Sequence, residues 1–260
     1  MPITIKSSRE IEFMAEAGRI LEIVHDELSK ALHAGMSTLD IDRLGEEMIR
    51  SYGCTPSFLH YHGYPASICV SVNDEVVHGI PDKNRILKEG DIVSLDAGVI
   101  YKGYHSDAAR TYGIGEITKD AQNLIKVTRE CFFEGIKYAK EGNHLFDISA
   151  AVDRHAKRYG YGVVRDLCGH GIGTNLHEAP EIPNYEVNRK GVMLKAGMTL
   201  AIEPMINMGG YEVDWLDDDW TVVTRDHSLS AHYENTVLIT KGEPRLLTLT
   251  AQDAKGNHYE

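Results

Sequence analysis

Four carboxylic acids lie in segments whose other residues predict β-strands. They are Asp96, Asp107, Glu203 and Glu234. An ionised carboxylate among apolar strand residues is costly unless it is paired or binds a metal ion. Four such acids indicate a metal centre, although a salt bridge, for example between Asp107 and Arg110, or a solvated strand face would explain any one of them alone.

Histidines form the second group of candidate residues. Glycine flanks His170 on both sides, His177 follows seven residues later, and His78 precedes a Gly-Ile-Pro turn. Glycines beside a histidine allow the backbone to lie close to a bound group. The alternative for this motif, a phosphate-binding glycine loop, lacks both the GxGxxG spacing and the helix that should follow it.

Two stretches of the chain, 87–96 and 194–203, share Leu-Lys-x-Gly, then strand residues, then an acid. Their offset is constant, 203 − 96 = 107 residues. The repeat predicts two related αβ halves, about 1–115 and 116–250, each with one acid at the equivalent strand position. So short a match could also arise by chance.

Local patterns predict the elements that must position these side chains. A capping box at Ser7 and Glu10 starts a helix that ends near Gly35, and a second helix covers about 37–53. Further predicted segments are strands at 67–72, 91–101 and 105–112, and helices at 118–140 and 146–159. From residue 162 to about 249 the chain is rich in strands and turns, and 251–260 is predicted to be a frayed tail.

Five dispersed motifs, taken in order, resemble those of the type I methionine aminopeptidases, which have the pita-bread fold. The motifs are Ser67–Asn73 with His78–Pro81, the pair Asp96 and Asp107, Gly169–Gly173 with His177, Gly197–Pro204, and Ser230–Glu234. The resemblance runs from residue 3 to 247. It departs at Leu167, where the family more often has an aromatic residue, and at Leu176, where some members have phenylalanine.

This resemblance implies an α+β fold in which two pseudo-symmetric αβ halves surround a curved, mostly antiparallel sheet, in one catalytic domain over 1–250. It also implies two divalent metal ions of Co, Mn, Fe or Zn. Their ligands would be Asp96, Asp107, His170, Glu203 and Glu234, with Asp107 and Glu234 as the bridging pair. Five such side chains can hold two ions about 3.5–4 Å apart, because a carboxylate can bind a single ion or bridge two.

The resemblance further implies roles in hydrolysis by a hydroxide that bridges the two ions. Glu203 would move the proton, His177 would hydrogen-bond the scissile carbonyl, and His78 would contact the scissile amide. The implied substrate-binding residues are Phe58, Tyr61, Tyr64, Cys69, His78, Leu176, His177 and Trp220. For Cys69 and Trp220, an ordinary place in the core remains the alternative.

The expected reaction is removal of the initiator methionine from nascent proteins whose second residue is small. The implied partners are nascent N-termini and, transiently, the ribosome; because Pro2 is small, the chain is also expected to remove its own Met1. An Xaa-Pro dipeptidase or aminopeptidase of the same fold is one alternative. A non-catalytic binding protein is another, but it should have lost ligands, and all five are present.

Composition excludes several other classes. The formal charge is −12, from 27 basic and 39 acidic residues, which argues against a broad nucleic-acid footprint. The four cysteines form no CxxC pair, which excludes a zinc finger or a thioredoxin-type site, and their scattered positions suggest reduced thiols. No apolar stretch approaches the ~18 residues of a membrane span, and the N-terminus lacks a secretory pattern. We therefore expect a cytoplasmic, monomeric protein without membrane contact.

Overall fold

The computed structural model describes residues 2–249, so Met1 and the predicted frayed tail at 251–260 lie outside the described residues. The helices are α1 (Ser8–Ala31), α2 (Thr38–Ser51), α3 (Lys119–Ile136) and α4 (Leu145–Arg158). All four were predicted, with ends shifted by a few residues. None of the helices between residues 2 and 249 combines the length and hydrophobicity that a bilayer span requires.

The strands are antiparallel to their partners throughout the named sheets. In the first part of the chain they are β1 (Thr55–Pro56), β2 (Ile68–Val72), β3 (Glu75–Val77), β4 (Ile92–Tyr101) and β5 (Tyr104–Gly113). In the second part they are β6 (Gly162–Val163), β7 (Gly169–Gly171), β8 (Glu178–Ile182), β9 (Thr199–Ile202), β10 (Met205–Asn207), β11 (Val213–Trp215), β12 (Val222–Thr224), β13 (Ser230–His232), β14 (Asn235–Leu238) and β15 (Arg245–Leu246).

Two sheets carry most of the candidate ligands. One joins β1, β4 and β2 in that order, with β5 paired to β4, and the other has the order β15–β14–β9–β7–β8. Helices α1 and α2 pack against the first sheet, and their apolar faces form one core cluster with β2 and β4. A second cluster places α3 against α4. The helices therefore form the outer support, and the strands carry the candidate site.

Helix α1 begins where the sequence predicts. The Ser7 side chain accepts a hydrogen bond from the Glu10 N–H, and the Glu10 carboxylate accepts one from the Ser7 N–H. This reciprocal pair satisfies two of the N–H groups that a helix start leaves without an intrahelical partner. A second reciprocal cap, between Ser37 and Asp40, begins α2.

Candidate active site

Strand register brings the four acids together. On β4 and β5, Asp96 pairs with Ala109 and Gly98 pairs with Asp107, so the two aspartates are diagonal neighbours on one sheet face. In the other sheet, β9 ends at Ile202, which pairs with Asn235 at the start of β14. Glu203 directly follows β9, and Glu234 directly precedes β14. Because β9 and β14 are antiparallel, the end of β9 lies beside the start of β14, and the two glutamates are therefore close together.

The solvated-face interpretation is wrong for Asp107 and Glu234, whereas Asp96 and Glu203 are half-buried. Asp107 is 3% exposed and Glu234 is 2% exposed. Within residues 2–249, Asp96 Oδ1, Asp107 Oδ1 and Glu234 Oε1 are buried and accept no hydrogen bond. Buried oxygens without a donor are costly, and a cation supplies the missing partner.

Burial and mutual repulsion shift the pKa values of the cluster upward. Burial raises the pKa of Asp96 to about 7, and the nearby Glu203 carboxylate contributes in the same direction. The pKa of Asp107 is also raised, by burial first and then by repulsion from Asp96 and Glu203. The pKa of Glu234 is raised as well, by burial first and then by repulsion from Asp107. The cluster thus disfavours its own full ionisation unless positive charge is brought in.

His170 is oriented as a metal ligand would be. Its Nδ1 lies 2.9 Å from the Gly171 carbonyl oxygen, which assigns the proton to Nδ1 and leaves a lone pair on Nε2. That Nε2 lies 3.6 Å from Glu203 Oε1 and 3.9 Å from Asp107 Oδ2. Ligand atoms of Asp107, His170 and Glu234 all fall within 4.8 Å of one another. Imidazole and carboxylate donors at this spacing fit a divalent ion.

His177 and His78 face the same centre. The ring of His177 stands edge-on to that of His170, with centroids 4.2 Å apart, and the Tyr61 hydroxyl lies 2.9 Å from its Nδ1. His78 adopts φ 59°, a backbone conformation that is uncommon outside glycine and is often found at functional sites. Burial lowers the pKa of His78 to about 4, with His232 and His177 contributing.

A single cavity of about 330 Å³ contains all the predicted ligands and all the predicted substrate-binding residues. Its apolar side includes Tyr64 and Trp220, whose rings pack edge-to-face with centroids 5.1 Å apart. The Tyr64 hydroxyl donates to the Gly79 carbonyl oxygen at 2.8 Å, so the ring is fixed in place. Cys69 and Leu176 line the cavity and are almost fully buried, so the pocket wall and the core are here the same residues.

A second cavity, of about 640 Å³, adjoins the first. The two share His78, His170, His177 and Glu203. The outer part of the second cavity includes the exposed acids Asp166 and Glu181. A ligand seated across the four shared residues would therefore extend into both spaces.

Sequence reasoning missed two histidines of the site. His62 lines the first cavity. His232 is 1% exposed, its Nε2 lies 3.6 Å from Glu203 Oε2, and neither of its ring nitrogens is hydrogen-bonded within the described part of the chain. Its place two residues before Glu234, in a predicted strand, was the available signal, because alternate strand residues share a face.

A buried group of carboxylates and imidazoles that opens into a peptide-sized cleft is the chemistry of a metal-dependent hydrolase. The comparisons with known proteins identify the class more closely. The model of metallopeptidase family M24 matches residues 12–241. The chain belongs to this family, whose members are metal-dependent peptidases.

Three relatives illustrate the similarity. A methionine aminopeptidase of Clostridium acetobutylicum is 53% identical, over 95% of this chain and 99% of its own length. The crystal structure of a methionine aminopeptidase from Thermotoga maritima has a TM-score of 0.93 and 44% identity, covering 95% of this chain and 99% of that one. A prolidase from Pyrococcus furiosus shares the fold alone, with a TM-score of 0.77, 24% identity and coverage of 95% of this chain and 65% of that one.

These likenesses confirm the predicted pita-bread fold. The division into two halves at about residue 115 stays a prediction. So do the roles of the individual site residues, although the structure brings every one of them to the same cavity.

Proposed function

We propose that this site removes N-terminal methionine from polypeptides whose second residue is small, using two divalent ions. The observation that carries the proposal is the first cavity, of about 330 Å³, in which a metal-binding cluster adjoins an aromatic wall. A pocket of that kind accepts one unbranched apolar side chain. Its position beside the cluster limits cleavage to the first peptide bond.

The ligand set proposed for the ions is Asp96, Asp107, His170, Glu203 and Glu234. Its support is the group of donor atoms within 4.8 Å and the buried carboxylate oxygens that accept no hydrogen bond among residues 2–249. When bound, two such ions lower the pKa of a water toward neutrality and polarise the scissile carbonyl.

Three side chains of the protein supply the proton transfer and the hydrogen bonds to the substrate. The ring of His177, held at Nδ1 by Tyr61, directs Nε2 into the cavity, where it donates to the carbonyl oxygen as negative charge develops. Glu203 borders both cavities, so its carboxylate can take a proton from the attacking water and deliver it to the leaving amine. His78, also shared by the cavities, contacts the scissile amide.

Methionine fits the aromatic wall for a physical reason. Its thioether is flexible, and each contact of sulfur with an aromatic ring is worth about 0.3–1.5 kcal/mol. Phe58, Tyr61, Tyr64 and Trp220 supply such rings on the cavity lining. One methylene more or less changes binding by only about 1–3 kcal/mol, so residues of similar shape should be cleaved slowly.

The proposed partners are the N-termini of nascent chains, met transiently at the ribosome by a monomer in the cytoplasm. The name that the relatives carry, methionine aminopeptidase, supports the substrate. All four cysteines of the chain are free, which fits a reducing compartment.

Peptide assays test the proposal. The metal-loaded protein should release methionine from Met-Ala-Ser and leave Gly-Pro almost untouched. Met-Leu-Ser, whose second residue is large, is the matched control and should be a poor substrate. Preferential cleavage of Gly-Pro would instead assign the chain to the proline peptidases of the same fold.

A further inference from the structure

A buried ion pair includes the residue that follows His177 in the chain. Lys6 Nζ lies 2.5 Å from Glu178 Oε2, and the two side chains are only 5% and 6% exposed. The Thr4 hydroxyl donates to the same oxygen at 2.7 Å, and Lys6 also contacts Thr4 Oγ1. Glu178 is the next residue after His177 and lines the second cavity with it, so the segment ahead of α1 reaches the candidate active site.

The other oxygen of Glu178 holds the turn that precedes it. Glu178 Oε1 accepts a hydrogen bond from the Asn175 N–H at 3.2 Å. Within the same turn the Gly173 N–H donates to the Asn175 carbonyl at 3.1 Å. The Gly173 carbonyl accepts a hydrogen bond from the backbone N–H of His105 at 2.8 Å. The carboxylate therefore links turn 173–178 to the N-terminal segment.

Gly173 leaves the space that the ion pair occupies. A Cβ at this position would lie 2.5 Å from both Glu178 Oε1 and Lys6 Cε. A side chain of any size would displace the pair. The glycine at position 173 therefore also makes room for the ion pair.

Lys6 also joins this turn to the strand that leads to Glu203. Its N–H donates to the Gly197 carbonyl at 2.8 Å, in the turn just before β9. The main chain of Lys6 is thus anchored to one side of the site, while its ammonium holds the other.

We propose that Lys6 is a positioning residue for His177, acting through Glu178. The proposal rests on the proposed function, in which His177 donates to the scissile carbonyl. A buried ion pair is poor at stabilising a fold relative to apolar side chains of similar size, but it fixes geometry, because both charges must remain paired. The pair therefore holds the backbone of residue 177 where Tyr61 can align the ring.

A double-mutant cycle tests this proposal on kcat with Met-Ala-Ser. Lys6→Met should lower kcat about tenfold and leave KM within twofold, because the carboxylate of Glu178 loses its partner and the turn moves. In an H177A background, followed by methionine release over hours, Lys6→Met should have no further effect on kcat. Bound metal should be equal in all four proteins.

Two further variants separate positioning from stability. K6M combined with E178Q buries no net charge, so its Tm should recover toward that of the wild type while its kcat stays low. Lys137→Met, in an exposed pair with Glu134, is the matched control and should change neither quantity.

The proposal is overturned if Lys6→Met lowers kcat equally in both backgrounds, if kcat follows Tm across the variants, or if kcat of K6M equals that of the wild type. An unchanged kcat in H177A alone also overturns it. If the wild type releases no methionine from Met-Ala-Ser, the proposed function fails, and this inference fails with it.

Discussion

His177 contributes to the proposed reaction with one ring nitrogen, and the structure shows what holds that ring. Tyr61 fixes Nδ1, and the His170 ring packs edge-on against it. Substituting His177 by alanine removes one hydrogen bond to the developing oxyanion. We expect kcat for Met-Ala-Ser to fall about 10²-fold, with KM changed little, because such a donor acts mainly in the transition state.

A histidine outside the site provides the control for this prediction. His227 is 78% exposed at its side chain and pairs with Asp74. His227→Ala should leave both kinetic constants unchanged. An unaltered kcat in His177→Ala would remove that residue from the catalytic group.

At the scale of elements, helix α1 shows a conflict between helix propensity and packing at Gly18. Replacing glycine by alanine in a helix is worth about 1 kcal/mol of added stability from propensity alone. Here, however, a Cβ would lie 1.9 Å from the Leu247 carbonyl oxygen. We expect Gly18→Ala to lower the free energy of unfolding by about 1–3 kcal/mol, as overpacking does. Urea unfolding would measure this change, and Glu12→Ala, at an exposed position of the same helix, is the control. A Gly18→Ala protein more stable than the wild type would contradict the predicted steric conflict.

The start of α1 gives a pH dependence. Hydrogen bonds from the Ser7 side chain and backbone, and from Tyr104, lower the pKa of Glu10. A lowered pKa means that the stabilisation is full above the unfolded value of about 4.3 and is lost as the pH falls through the folded value. Glu10→Gln should therefore melt below the wild type at pH 7, and the two Tm values should converge as the pH falls through the lowered pKa of Glu10 in the folded protein. A constant gap in Tm would show that the charge of Glu10 is not involved.

Elements with local signals were predictable from the sequence, and elements with non-local partners were not. Helices α1 and α2 begin at capping boxes that span only four residues, Ser7–Glu10 and Ser37–Asp40, and β4 and β5 are ten-residue strands. The strands from β6 to β15 have two to five residues each, and several of them pair with distant segments, as β10 does with β6, β12 with β3 and β14 with β9. Local patterns therefore indicated a strand-rich region but not the order of its strands in the sheets.

The same distinction applies to the site. The four acids stood out because they lie in predicted strands, and His170 stood out because glycines flank it, whereas the pocket residues followed from the resemblance to the family. His232 lies inside the motif Ser230–Glu234 but was not singled out, and the Lys6–Glu178 pair carried no local signal. Lys6 and Glu178 lie 172 positions apart in the chain, so only the fold reveals that they meet.

At the scale of the whole molecule, the two sheets converge on one acidic centre that needs cations. Chelation followed by dialysis should abolish turnover, and added Mn²⁺ or Co²⁺ should restore it, with calorimetric binding saturating at two equivalents. The metal-loaded protein should also melt at a higher temperature, because the ions bind only the folded cluster. Asp96→Asn should lower the stoichiometry, whereas the exposed Asp217→Asn should not. Full turnover after chelation would contradict a metal-dependent reaction, and saturation at one equivalent would contradict the second ion.

The net charge of −12 also has a local consequence for substrate choice. The second cavity continues from the four shared residues toward Asp166 and Glu181, so the residues after the scissile bond should pass between exposed acids. Opposite charges attract and like charges repel over roughly a Debye length of 10 Å at 0.1 M salt. We therefore expect Met-Ala-Lys-Lys to be cleaved with a kcat/KM about three- to tenfold above that of Met-Ala-Glu-Glu, with a smaller ratio at high salt. D166N combined with E181Q should reduce the ratio, and E47Q, an exposed acid on α2, should not. Equal rates for the two peptides at low salt would instead place the departing chain outside this cavity.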